Sequence, residues 1–261
     1  MKFRNLILPL GIIASTTTSV LLTFAPVKLQ AQSSPTPLLA QVKFPDTGGG
    51  GIAREGRGGG TRAGSTSEAC VVDESKPLTV LMPPNNVGTM VTETPTLYWY
   101  APQTRAQEAE FVLLNEQNEE VYATTFPIPR HSSQTELSKA GIVQLTLPKT
   151  GTGESLLQAG EQYSWFLALV CNPDDRSYDE IIEGVVERQE IDSQLQATIN
   201  QENSPVGKAD LYARAAIWTD ALMLLAQIRD SKPEQWESFL GSVNLEEIAR
   251  EPFVNCCTQD N

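Results

Sequence analysis

The sequence predicts an α+β protein: an antiparallel β-sandwich over residues 70–190, followed by a small helical segment over 191–252 packed on it. Three observations carry this expectation. Seven short apolar or aromatic runs, each closed by turn residues, fill residues 70–190. After Ile191 the apolar spacing lengthens to a helical period. Cys70 opens the first of these regions and Cys171 ends its most apolar run.

Residues 1–31 read as a signal peptide, which places the mature chain in the periplasm or outside the cell. Lys2 and Arg4 give a basic start, "LILPLGII" and "VLLTFA" give apolar runs, and Ala31 offers a small residue before a cut. The alternative is an N-terminal membrane anchor, long enough to span but interrupted by "STTTS". Residues 32–69 read as a disordered Gly/Pro/Arg linker, because "SSPTPLLAQ" and "TGGGGIAREGRGGGTRAGSTS" hold too little apolar area to offset ordering. The glycine run lacks the Lys-Ser/Thr ending of a phosphate-binding loop.

The expected strands are "LTVLMP" (78–83), "TLYWYAP" (96–102), "AEFVLLNE" (109–116), "EVYATTFPIP" (120–129), "GIVQLTLP" (141–148), "EQYSWFLALVC" (161–171) and "DEIIEGVVERQEI" (179–191). Pro95 and Pro102 flank "TLYWY", where a missing N–H interrupts no ladder. Leu97 and Trp99 share one face and are expected to fill the space between two sheets, as the core tryptophan of an immunoglobulin-like sandwich does. Tyr98 and Tyr100 point the other way, either packed on the sheet or free as an interaction surface.

"DSQLQATINQ" reads as a short helix with Asp192 as N-cap. In "KADLYARAAIWTDALMLLAQIRDSKP", a first helix carries Leu211, Tyr212, Ala215 and Ala216. A second, capped by Thr219 or Asp220, carries Leu222, Leu225 and Ile228 and stops before Pro233. Two more helices follow in "EQWESFLGSVNLEEIAREP". The alternation of small and large residues resembles one tetratricopeptide-like helix pair, and a single such unit needs another surface to bury its apolar face. Trp218 joins Tyr98 and Tyr100 as a candidate interaction residue. Residues 253–261 form a polar tail.

Net charge excludes some partners. The chain carries −13, and Cys70–Asn261 holds 12 bases against 29 acids, a net −17. Such a body repels nucleic acid and anionic lipid, and it keeps an exported protein soluble. Cys70, Cys171, Cys256 and Cys257 allow three full pairings, which the sequence leaves open. The placement of Cys70 and Cys171 suits a staple between an N-terminal segment and a core strand. Closing a loop of about 100 residues stabilises by roughly 4–5 kcal/mol in an oxidising compartment. Without CxxC spacing, and with one histidine, the cysteines do not form a zinc site.

Candidate chemistry is sparse. His131 lies in a polar loop without a nucleophile elbow. In "NPDDRSYDE", Asp174, Asp175 and Asp179 are weak calcium candidates, although the stretch is also a good turn with Arg176 at hand to neutralise a carboxylate.

Together, "LTVLMPPNNVGTMVTETPTLYWYAP", "AEFVLLNEQNEEVYATTFPIP", "GIVQLTLP", "LQAGEQYSWFLALVCNPDDRSYDEIIEGVVERQE" and "ADLYARAAIWTDAL" resemble a cyanobacterial family of exported proteins, domain of unknown function 928. The resemblance runs from Cys70 to Pro252. It implies a signal peptide, a Gly- or Pro-rich linker and no assigned activity or catalytic residues. Where the family pattern has Gly-Ile-Trp in the helical segment, this chain has Ala216-Ile217-Trp218.

The expected function is therefore a non-enzymatic periplasmic or extracellular interaction module without a cofactor and without integral membrane insertion after processing. Its partner is expected to be an envelope or extracellular protein, such as the outer domain of a membrane sensor, or a glycan. The alternative is a secreted sugar- or peptide-active hydrolase using surface carboxylates such as Asp174, Asp175 or Glu183.

Overall fold

The structure, a computed structural model, describes residues 41–48, 57–58, 70–72, 75–132 and 135–254. The expected signal peptide, most of the expected linker, and Cys256 and Cys257 lie outside the described residues. Strands run at Arg57–Gly58 (β1), Thr79–Val80 (β2), Val87–Met90 (β3), Thr96–Ala101 (β4), Glu108–Asn115 (β5), Glu120–Pro127 (β6), Arg130–Ser132 (β7), Thr135–Ser138 (β8), Gly141–Thr146 (β9), Gln162–Val170 (β10) and Glu180–Arg188 (β11). Helices follow at Ser193–Gln201 (α1), Pro205–Arg214 (α2), Trp218–Ile228 (α3), Pro233–Gly241 (α4) and Glu246–Ala249 (α5). The class is α+β. No helix among the described residues is long and apolar enough to cross a membrane.

The larger sheet has the order β1-β11-β10-β5-β6, with β3 also on β11; the smaller is β2-β4-β9, and β7 pairs with β8. One expectation needs correction, because the pairing is not wholly antiparallel. β3 runs parallel to β11, Val87 opposite Val185 through Met90 opposite Arg188. The β5–β6 hairpin turns at the predicted polar stretch. There the Asn115 side-chain oxygen accepts the N–H groups of Gln117 and Glu119, and Asn118 takes a left-handed φ of 61°.

Burial patterns reveal three layers. Along β5 and β10 buried residues alternate with half-buried ones, so the larger sheet packs through one face. In β4 every residue from Thr96 to Tyr100 is buried. The smaller sheet is therefore the middle layer. Its Leu97, Trp99, Val143 and Leu145 meet Phe111, Leu113, Trp165 and Leu167 of the larger sheet. Its Tyr98, Tyr100 and Ile142 meet Trp218, Leu222, Leu225 and Phe239 of the helices.

The linker expected over 32–69 is corrected at residues 41–48, which dock as an extended strap on the helical layer. Val42 and Phe44 are 0% and 5% exposed. The Val42 N–H donates to Gln235 Oε1 (2.9 Å) and the Phe44 N–H to Ser242 Oγ (2.9 Å). The Phe44 ring stands edge-on to Trp218, centroids 4.9 Å apart.

Asp192 caps α1 as expected, accepting the N–H groups of Gln194 and Leu195. The cap expected from Thr219 or Asp220 on α3 is corrected: Ile217 occupies that position without a side-chain cap. Asp220 instead reaches across to β3, its Oδ2 accepting the Val91 N–H (2.9 Å), while the Trp218 N–H donates to Thr89 Oγ1 (3.1 Å). Burial holds the Asp220 carboxyl above its usual range, and the N–H groups of Val91 and Thr92 offset only part of that. A raised folded value means that its contribution is complete at acid pH and falls as pH rises through that value. Relative to Asp220→Asn, the wild type is expected to lose stability between about pH 4 and the raised value. Urea unfolding of both proteins at about pH 4 and about pH 7 measures this, and a constant difference would contradict it.

Between α2 and α3, Ala216 takes a left-handed φ of 57°. That conformation costs an L-residue about 1–2 kcal/mol, a cost that glycine escapes. Ala216→Gly is expected to raise the unfolding free energy by about 0.5–1 kcal/mol after the extra freedom of glycine in the unfolded chain is deducted. Denaturant unfolding checks the sign.

Candidate functional site

At one end of the sandwich the two sheets leave a space. On the larger sheet Phe126, Ala109 and Leu169 form one row across β6, β5 and β10. On the smaller sheet Trp99 pairs with Val143 across β4 and β9, with Ala101 two residues beyond Trp99. Deeper rows carry Phe111 beside Leu167 and Leu113 beside Trp165. In the end row the central residue is Ala109, and Ala101 is the small residue on the facing strand, so the layers separate around a cavity of about 330 Å3. Trp99 and Phe126 stack on each other in its wall, 6.3 Å between centroids with planes 28° apart.

The C-terminal chain supplies another wall. The Ile142 N–H donates to Pro252 O (2.7 Å) and the Val254 N–H to Ile142 O (2.9 Å), which lays Phe253 and Val254 along β9 and into the cavity lining. Gly141 permits this approach, since a Cβ there would lie 2.5 Å from the Pro252 carbonyl oxygen. The expected tail of 253–261 is thus corrected for its first two residues.

Two buried polar residues also line the cavity. The Thr104 N–H donates to Ser138 Oγ (3.1 Å) and the Ser138 N–H to Thr104 O (3.0 Å). Thr104 Oγ1 donates to Cys70 O (2.9 Å) and accepts the Ala106 N–H (3.0 Å). Thr104 is thereby fully used, whereas the Ser138 hydroxyl has no acceptor among the described residues. Lys139 and Pro129, both exposed, mark the open side. No Asp or Glu stands among the described residues of the lining.

The Cys70–Cys171 staple is present, with Cα atoms 5.2 Å apart, at this same end of the sandwich. Next to it the calcium candidates separate into structural roles. Asp179 is 3% exposed; its Oδ1 accepts the Cys171 N–H (3.1 Å) and its Oδ2 accepts from Arg176 Nε (2.5 Å). Arg176 also grips Glu110 through both terminal nitrogens, at 3.2 and 2.7 Å. Asp175 caps the 3-10 turn Arg176–Tyr178 by accepting from Ser177, whose hydroxyl, ahead of its N–H, holds the carboxyl below its usual range. Asp174 is exposed. Among the described residues no three His, Cys, Asp or Glu side chains gather as a metal set.

The candidate interaction surface is corrected. Tyr98, Tyr100 and Trp218 are 6%, 4% and 1% exposed, because the helices cover the face of β4 that alternation alone leaves open. Burial pushes the Tyr98 phenol up to about 12, with the Thr96 hydroxyl bond offsetting part of it. The Trp218 indole N–H donates to Leu81 O (3.0 Å). The His131 side chain lies outside the described residues. Glu183 sits opposite Phe166 on the outer face of the larger sheet, away from the cavity.

The chamber was not foreseen in the sequence. Its signal is the pair Ala101 and Ala109, small residues in strands whose other inward positions are bulky. The family model described as Domain of Unknown Function (DUF928) matches residues 57–253. No curated protein matches the chain.

Proposed function

The chain belongs to the DUF928 family, and since that membership assigns no activity we propose that it is an exported, non-enzymatic binding module whose site is the chamber between the two sheets. The observation that carries this reading is the chamber itself. At about 330 Å3 it falls in the size range of small-molecule sites, lined mainly by apolar residues with Thr104, Ser138 and Lys139 as its polar side chains. Burial of Tyr98, Tyr100 and Trp218 moves recognition from an aromatic surface for a protein or glycan to an interior space for a small ligand. The hydrolase alternative gains no support, because Asp174, Asp175 and Glu183 lie outside the chamber lining. Asp175 is also held low, opposite to what a general acid needs. The disulfide supports an oxidising compartment.

An engineered apolar cavity of about 150 Å3 holds one benzene, so this chamber suits a ligand of about two fused rings. Calorimetric titration with 2-naphthol is expected to give one site per chain. Ala109→Leu, which fills the chamber, is expected to abolish it. Absence of binding to the wild type would refute the reading.

A further inference from the structure

We infer that the chamber takes a small apolar carboxylate, its hydrocarbon body against the Trp99 and Phe126 wall and its charged head at Lys139 and Ser138. The inference rests on the ligand-binding reading above and adds the ligand's charge.

The first argument concerns sign. Residues 70–261 carry 29 acids and 12 bases, yet the described lining contains no acid and one base, Lys139. A wall free of carboxylates in so acidic a chain selects against cationic ligands and leaves a single favourable place for an anion.

Pairing gives the second. Lys76 is bonded to Glu251 and Lys149 to Glu93. Lys139 has no ion pair among the described residues. Its ammonium therefore has no carboxylate of this chain to give up before it meets a ligand's.

The third is the local donor set. Ser138, adjacent in sequence, is 3% exposed and lines the same space. Its oxygen accepts the Thr104 N–H, and its hydroxyl hydrogen remains for an acceptor in the chamber. One ammonium and one hydroxyl satisfy a monoanionic carboxylate. A phosphate dianion calls for a larger set, of the kind that arginine forks or successive backbone N–H groups provide.

The test uses three probes of one shape, 2-naphthoate, 2-naphthol and 2-naphthylmethylammonium, titrated calorimetrically at about pH 7.5 into the full chain. Naphthoate is expected to bind about 5-fold to 10-fold more tightly than naphthol, the scale of a charge-assisted hydrogen bond at a partly exposed site. The ammonium is expected to bind weakest. Lys139→Met, at an exposed position, is expected to bring naphthoate down to the level of naphthol. Lys139→Glu is expected to reverse the order of naphthoate and the ammonium.

Equal affinities of naphthoate and naphthol for the wild type would overturn the assignment of charge, as would a preference that survives Lys139→Met; the chamber would then stand as a site for neutral ligands. Failure of all three probes to bind would overturn the ligand-binding reading together with it. Binding that persists in Ala109→Leu would place the site elsewhere and overturn both. Ala101→Leu serves the same purpose should Ala109→Leu fail to fold.

Discussion

Replacing Cys70 and Cys171 with serine is expected to lower the unfolding free energy by about 4 kcal/mol. The bond joins positions 101 residues apart, and a cross-link closing a loop of that length removes unfolded-chain entropy worth about 4–5 kcal/mol at 25 °C. The folded state should survive the change. The Arg105 N–H donates to Cys70 O (2.9 Å) and the Val72 N–H to Gln103 O (3.1 Å), and both bonds are made by the backbone. Urea unfolding of the double variant, and of the wild type with and without reductant, measures the loss. A change below about 1 kcal/mol would mean that the unfolded chain is already compact around these residues.

Phe44→Ala is expected to lower stability by about 3–5 kcal/mol, the range for truncating a buried aromatic residue. The ring meets Trp218 edge-on and also Phe239, with centroids 6.0 Å apart, and it is 5% exposed. Lys43, between the two anchors, is exposed. Its replacement by alanine should change stability by less than about 0.5 kcal/mol and is the matched control. If the two variants unfold at the same urea concentration, the strap does not hold the helical layer in solution.

Much of the sandwich was legible because β5 and β10 have one packed face, and alternation shows which residues point inward. The same logic failed for β4. Alternation separates Leu97 and Trp99 from Tyr98 and Tyr100 correctly, but it cannot say that a second layer covers the tyrosines. The clue was compositional: "LYWYA" has no polar side chain strong enough to claim water, as expected of a strand buried on both faces. β3 escaped notice because "VGTM" is short, contains glycine, and finds its parallel partner β11 far along the chain. Phe44 was hidden by its setting, since Val42 and Phe44 are two apolar residues ahead of a long glycine run. The chamber was the least legible feature. It exists because Ala101 and Ala109, on different sheets, end up at the same end of the sandwich, and no local pattern encodes that meeting.

The docked strap has a practical corollary for anyone choosing where to start the protein. Sequence similarity begins at residue 57, yet the plug over Trp218 and Phe239 lies upstream of it. A fragment begun at residue 57 would carry bare aromatic rings into solvent and should clump on purification, whereas one begun at residue 40 keeps its own cover.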